Sequence, residues 1–199
     1  SNQFKTHTLT FALEIYHFPH SYLYPKSDRT PLILGANKNV YTLDETEFSI
    51  LFELMKNPKI SIVDLSNNLK LSVKTVNKKI DILEKERVIL NYRIKINTSL
   101  LNLEHHKIFL YLENLTKEKY DHLISFLSSI KEVIFITIPF GSAHLEFEII
   151  VEGNVKLFEL MRAINIKFPN FIRDYEDVFI YNDPFTNYIP KLNFKIKSV

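Results

Sequence analysis

Eight basic residues crowd between positions 70 and 95: Lys70, Lys74, Lys78, Lys79, Lys85, Arg87, Arg93 and Lys95. Only three acidic residues, Asp81, Glu84 and Glu86, share that stretch. The local excess is larger than the formal net charge of +2 carried by all 199 residues, so positive charge is concentrated here. Lysine ammonium groups in such a cluster suit phosphate contacts, with affinity that falls as salt rises, better than the forked reading of base edges that arginine performs. Two serines, Ser61 and Ser72, each precede a helix-like pattern, and a helix opened by serine leaves backbone N–H groups that can face a phosphate. A second group with chemical potential is the stripe His144, Glu146 and Glu148, spaced by two. An imidazole and two carboxylates on one strand face can bind a polar ligand, but one strand is a thin basis for a metal site.

Other chemistries lack their residues. No cysteine occurs, which rules out disulfides and thiolate-bound zinc, and three glycines cannot build a glycine-rich phosphate loop. The seven histidines at 7, 17, 20, 105, 106, 122 and 144 are scattered, and no serine or carboxylate constellation accompanies them. The expectation is therefore no catalytic residue, no metal and no cofactor: the chain is not read as an enzyme. No apolar run is long enough for a membrane span and no secretory signal opens the chain, so a cytoplasmic protein with no membrane partner is expected.

The elements that must hold these residues fall into two patterns. Leu43 to Glu86 reads as three helices. Asp44 and Glu47 form a capping box before a face of Phe48, Leu51, Phe52 and Met55. Ser61 caps a second helix with Ile62, Leu65 and Leu69 inward, and Ser72 caps a third with Val73, Val76, Ile80 and Leu83 inward. The alternating "VILNYRIKIN" then reads as a strand or short wing. Such a unit is a winged helix-turn-helix, which offers its third helix to a DNA major groove. Lys74, Thr75 and Lys78 lie on the outer side of that helix, with Asn77 and Lys79 at the flanks. The candidate DNA-binding residues are therefore Ser61, Ser72, Lys74, Thr75, Asn77, Lys78 and Lys79.

Residues 106 to 184 read strand–helix–strand–strand–helix–strand, the split βαβ order of a ferredoxin-like sheet. Its parts are "HKIFLYLEN", a helix from Thr116 to Ile130, "VIFITI" and "HLEFEIIV" joined through "PFGSA", a helix capped by Asn154, and "VFIY". The first two strands are apolar on both sides, whereas helices of such a sheet cover one face. A second subunit, the N-terminal strand or the C-terminal tail is left to cover the other. Before all this, residues 8 to 17 alternate, with Leu9, Phe11, Leu13 and Ile15 on the side expected to be buried. The fold expected is α+β: a strand and irregular connector over 1–40, a winged helix-turn-helix over 41–100, a ferredoxin-like domain over 101–184, and a tail over 185–199 with an edge strand.

This sequence resembles the Lrp/AsnC, or feast/famine, family of transcription regulators. The resemblance rests on "LDETEFSILFELMKNPKIS" and "DLSNNLKLSVKTVNKKIDILEKERVI", with Thr75, Val76, Lys79, Leu83, Glu84, Val88 and Ile89 at matching positions. It departs where the family has a small alanine (Ser66), a turn glycine (Lys70) and a glycine before valine-isoleucine (Arg87). A residue with a side chain at those turns implies left-handed backbone or an altered turn, at about 1 kcal/mol each. The resemblance implies a sequence-specific regulator of double-stranded DNA, a homodimer or larger homo-oligomer through a ferredoxin-like RAM domain, and a small-molecule effector. In the family pattern the "GSAHLEFE" hairpin is an effector site, which here gives Gly141, Ser142, His144 and Glu146, with histidine at the family's aspartate position. Certain sirohaem decarboxylases resemble the same architecture, and an adaptor whose winged helix binds protein is a further alternative.

Overall fold

The structure is a computed structural model that describes residues 9–24, 28–35 and 40–181. They fall into two compact units: residues 40–95, and the residues before 36 together with those from 96 onward.

The first unit holds α1 (Glu45–Lys56), α2 (Ile62–Leu69) and α3 (Val73–Lys85). Each starts where a side chain satisfies helix-end N–H groups. The Asp44 carboxylate accepts from Glu47 N while Asp44 N donates to the Glu47 carboxylate, a complete capping box. Ser61 and Ser72 accept from Asp64 N and Thr75 N. Such caps are each worth about 1 kcal/mol. Ile50, Leu65, Val76, Ile80 and Leu83 form the buried core, with Leu43, Leu51, Leu54 and Leu69 packed around it. The inward side of α1 is therefore not the one its apolar spacing suggested. Phe52 lies outside, stacked on Phe48 and beneath the Lys56 ammonium, because the buried Glu47 takes a place on the inner side. Val73 is likewise exposed.

Left-handed backbone appears where the family carries glycine: Lys70 has φ 54° and Arg87 φ 58°. The Leu71 N–H donates to the Ser66 carbonyl across the first turn. Among the described residues, 90–97 are not part of a strand, so the expected wing is not seen there.

The second unit is one antiparallel sheet with two helices. Its strands are β1 (Phe11–His17), β2 (Leu32–Leu34), β3 (Glu104–Leu112), β4 (Val133–Phe140), β5 (Leu145–Val151) and β6 (Ile172–Phe179), in the spatial order β2-β1-β4-β5-β3-β6. The last four make the ferredoxin-like order. The helices α4 (Lys117–Ser129) and α5 (Asn154–Lys167) pack Leu123, Leu127, Leu157, Met161 and Ile164 onto Ile108, Leu110, Leu145, Phe147 and Ile149.

Residues before 36 are thus not a separate piece, because β1 pairs with the edge of β4 and carries β2 beyond it. The strand extends the sheet and covers neither face. Its expected buried side is also reversed: Leu9 is 74% exposed and Phe11 and Leu13 lie open, while Tyr16 and Phe18 reach the core. The register slips between Ala12 and Glu14, and pairing with β4 decides which residues point at the helices.

Two further boundaries differ. Gly153, with φ 132°, is the N-cap of α5, and Asn154 is its first residue. The last strand begins at Ile172 because an edge strand with one open face tolerates the polar "IRDYED" that hid it. The expected tail strand lies outside the described residues. No described helix is long and apolar enough to cross a membrane.

Candidate functional site

The candidate nucleic-acid interface is the outer side of α3. Lys74, Thr75, Asn77, Lys78 and Lys85 are exposed there, and the three lysines enter no ion pair among the described residues. The opposite side carries Val76, Ile80 and Leu83 into the core, so the helix cannot turn its charges inward. Ser72 holds the near end: its hydroxyl accepts from Thr75 N at 3.1 Å and shares a hydrogen bond with the Thr75 hydroxyl at 2.8 Å.

Two of the candidate residues serve other ends. Lys79 reaches back to α1, pairing with Glu47 at 3.0 Å and with Asp44. Tyr41 donates to the same Glu47 carboxylate at 3.0 Å. Burial pushes Asp44 and Glu47 upward, but hydrogen bonds from Lys79 and from backbone N–H groups outweigh it and hold both below their ordinary values. Those bonds in turn hold Lys79 above the usual lysine value. Lys79 is therefore a tie between helices and not a free cation. The Ser61 hydroxyl donates to the Asp64 carboxylate at 2.6 Å and accepts from Asp64 N, so an anion approaching α2 meets a carboxylate. It is a cap, with no vacancy for a phosphate.

The hairpin residues separate as well. Gly141 and His144 line a cavity of about 620 Å3, together with Thr116, Lys117, Tyr120 and Phe140. Ser142 is not among the lining residues. Glu146 sits on the other face of the sheet, only 4% exposed, with its carboxylate 2.9 Å from the Lys107 ammonium. Glu148 pairs there with His105 at 2.9 Å. The strand starts at Leu145, so its alternation does not extend back to His144. Instead the His144 ring folds onto the backbone, where Nδ1 accepts from Leu112 N at 3.2 Å. The Tyr120 hydroxyl donates to the His144 carbonyl at 2.9 Å. Burial, followed by neighbouring Tyr16, Asp121 and Glu14, pushes that hydroxyl up to about 12. Among the described residues no group of histidines and carboxylates is arranged to hold a metal.

The open sheet face combines apolar and paired polar groups. One row runs Ile15, Thr137, Glu146, Phe109, and the next runs His17, Phe135, Glu148, Lys107, Val178. Both helices of the unit pack on the opposite side. Lys107 and Tyr120 carry these arrangements and were missed in the sequence, since only pairing across strands brings them to their partners.

The winged helix-turn-helix DNA-binding family matches residues 43–89. A leucine-responsive regulatory protein from Haemophilus influenzae is 42% identical over 60 residues, 30% of this chain and 36% of that protein. The matched stretch thus spans about a third of that curated relative. Among solved structures, an AsnC family transcriptional regulator from Agrobacterium tumefaciens aligns with a TM-score of 0.65 at 17% identity, over 74% of this chain and 97% of that one. Escherichia coli AsnC aligns with a TM-score of 0.62 at 18% identity, over 75% and 100%. A transcriptional regulator from Neisseria meningitidis, solved with L-Met, gives 0.65 at 18% identity, over 75% and 97%.

The chain has the Lrp/AsnC architecture. The resemblance read from its motifs is borne out, as is the α+β fold of a winged helix-turn-helix with a ferredoxin-like sheet.

Proposed function

We propose that this chain is a DNA-binding transcription regulator of the Lrp/AsnC type, that it works as a dimer built on its sheet, and that it is not an enzyme. The observation that carries this reading is the outer side of α3. Lys74, Lys78 and Lys85 are exposed there beside Thr75 and Asn77, without an ion pair among the described residues, on a helix whose other side is pinned in a core. Such a face contacts phosphates through its lysines, while Asn77 suits the edge of adenine. The proteins it resembles are named as regulators, which supports the same reading.

Dimerisation is supported by the open sheet face, where Ile15, Phe109, Phe135 and Val178 surround the Lys107–Glu146 and His105–Glu148 pairs. The Neisseria relative was solved with an amino acid, which supports a small-molecule effector in the cavity beside His144. The test is a mobility-shift titration with duplex DNA at several salt concentrations. Affinity falling linearly on a log–log plot is expected, with a slope set by the phosphates contacted. Absence of a shift at low salt would favour an adaptor that binds protein.

A further inference from the structure

We propose that the cavity beside His144 takes an apolar carboxylic acid that lacks an amino group, such as a branched 2-oxo acid. This rests on the reading of the cavity as an effector site and specifies its ligand.

Donors and acceptors decide what the cavity can hold. Because Nδ1 of His144 accepts the Leu112 N–H, the neutral ring carries its hydrogen on Nε2 and offers the remaining nitrogen only as a donor. Tyr120 is held protonated and its hydroxyl hydrogen is spent on the His144 carbonyl, which occupies one of that oxygen's two lone pairs. The Thr116 oxygen is engaged as the N-cap of α4, accepting from Lys119 N. What the cavity still offers is positive. Lys117 is exposed and without an ion pair among the described residues, and the first N–H groups of α4 have no carbonyl to accept them within the helix. No carboxylate lines the cavity. An ammonium group entering here would lose water without a lining carboxylate to pair with, whereas a carboxylate would meet Lys117, the helix start and the imidazole N–H. The walls away from Lys117 are apolar: Leu115, Ile138, Pro139 and Phe140, with Phe140 and Leu115 more than half exposed and free to close on a hydrocarbon chain. The volume of about 620 Å3 suits a small molecule.

The experiment is calorimetric titration of the full chain with three probes that share one hydrocarbon chain: 4-methyl-2-oxopentanoate, leucine and 3-methylbutylamine. The oxo acid should bind, leucine about tenfold or more weakly, and the amine not at all. Lys117→Gln, an exposed position that leaves the fold intact, should weaken the acid about tenfold and leave the amine unchanged. Equal or tighter binding of leucine, or no binding of the acid at millimolar concentration, would overturn the proposal. Mobility shifts on the same samples separate the two readings. DNA binding without acid binding sinks this inference alone, and acid binding without DNA binding sinks the regulator.

Discussion

Lys78 and Lys79 are adjacent in sequence but about 100° apart around α3, and that angle divides their roles. Lys78 faces outward with no ion pair among the described residues, while Lys79 is held by Asp44 and Glu47. Alanine at Lys74 or Lys78 should weaken DNA binding without a change in melting temperature, and each should lower the slope of log affinity against log salt by about 1. Replacing Lys79 with methionine should do the reverse, lowering stability first because it leaves the buried Glu47 carboxylate without its cation. This cluster also sets a pH dependence. Asp44 and Glu47 are depressed in the folded state, so their stabilisation is complete above their ordinary values of 3.8 and 4.5 and is lost as pH falls through the lower folded values. Acid unfolding followed by circular dichroism should therefore steepen below about pH 4, and Lys79→Met should make that limb shallower. Position 79 was read from the sequence as a DNA contact because a helix-face count sees neither Asp44 nor Glu47, more than thirty residues earlier.

At the scale of elements, what was legible is what is local. Ser61, Ser72 and the Asp44–Glu47 box start their helices where the sequence placed them, because a cap involves residues three apart. What was not legible depends on partners far along the chain. The side of β1 that is buried follows from a bulge and from pairing with residues 135–140, and the inner side of α1 includes a glutamate because Tyr41 and Lys79 satisfy it. The candidate site divided the same way: the exposed side of α3 followed from periodicity, whereas the His144 ring took an orientation set by Leu112 N. Two turns carry testable strain. Glycine at Lys70 or Arg87 relieves left-handed backbone, offset in part by the greater freedom of glycine in the unfolded chain, and each should raise stability by about 0.5–1 kcal/mol in urea titration. Gly141 behaves oppositely. A Cβ there would lie 2.8 Å from the Thr10 hydroxyl and 3.0 Å from its Cα, so Gly141→Ala should destabilise the hairpin and push the start of β1 away.

For the molecule as a whole, the proposed dimer rests on the sheet face opposite α4 and α5. Val178 is 46% exposed in the row of Lys107 and Phe135, so Val178→Glu adds a charge to that face without disturbing the core beneath. Analytical ultracentrifugation should show the dimer dissociating at a concentration where the unaltered chain stays paired, with circular dichroism unchanged. A dimer that persists unchanged would place the interface elsewhere.

Arg29 binds the carbonyls of Ser128, Lys131 and Val133 at 3.0–3.2 Å with its guanidinium over Phe18, and β1 supplies the hydrogen-bond partners of β4. A shortened protein begun near residue 40, just ahead of the helix-turn-helix match at 43–89, would lose these contacts. It would bare the amides of β4 to any strand that comes by and uncork the far end of α4, which favours aggregation.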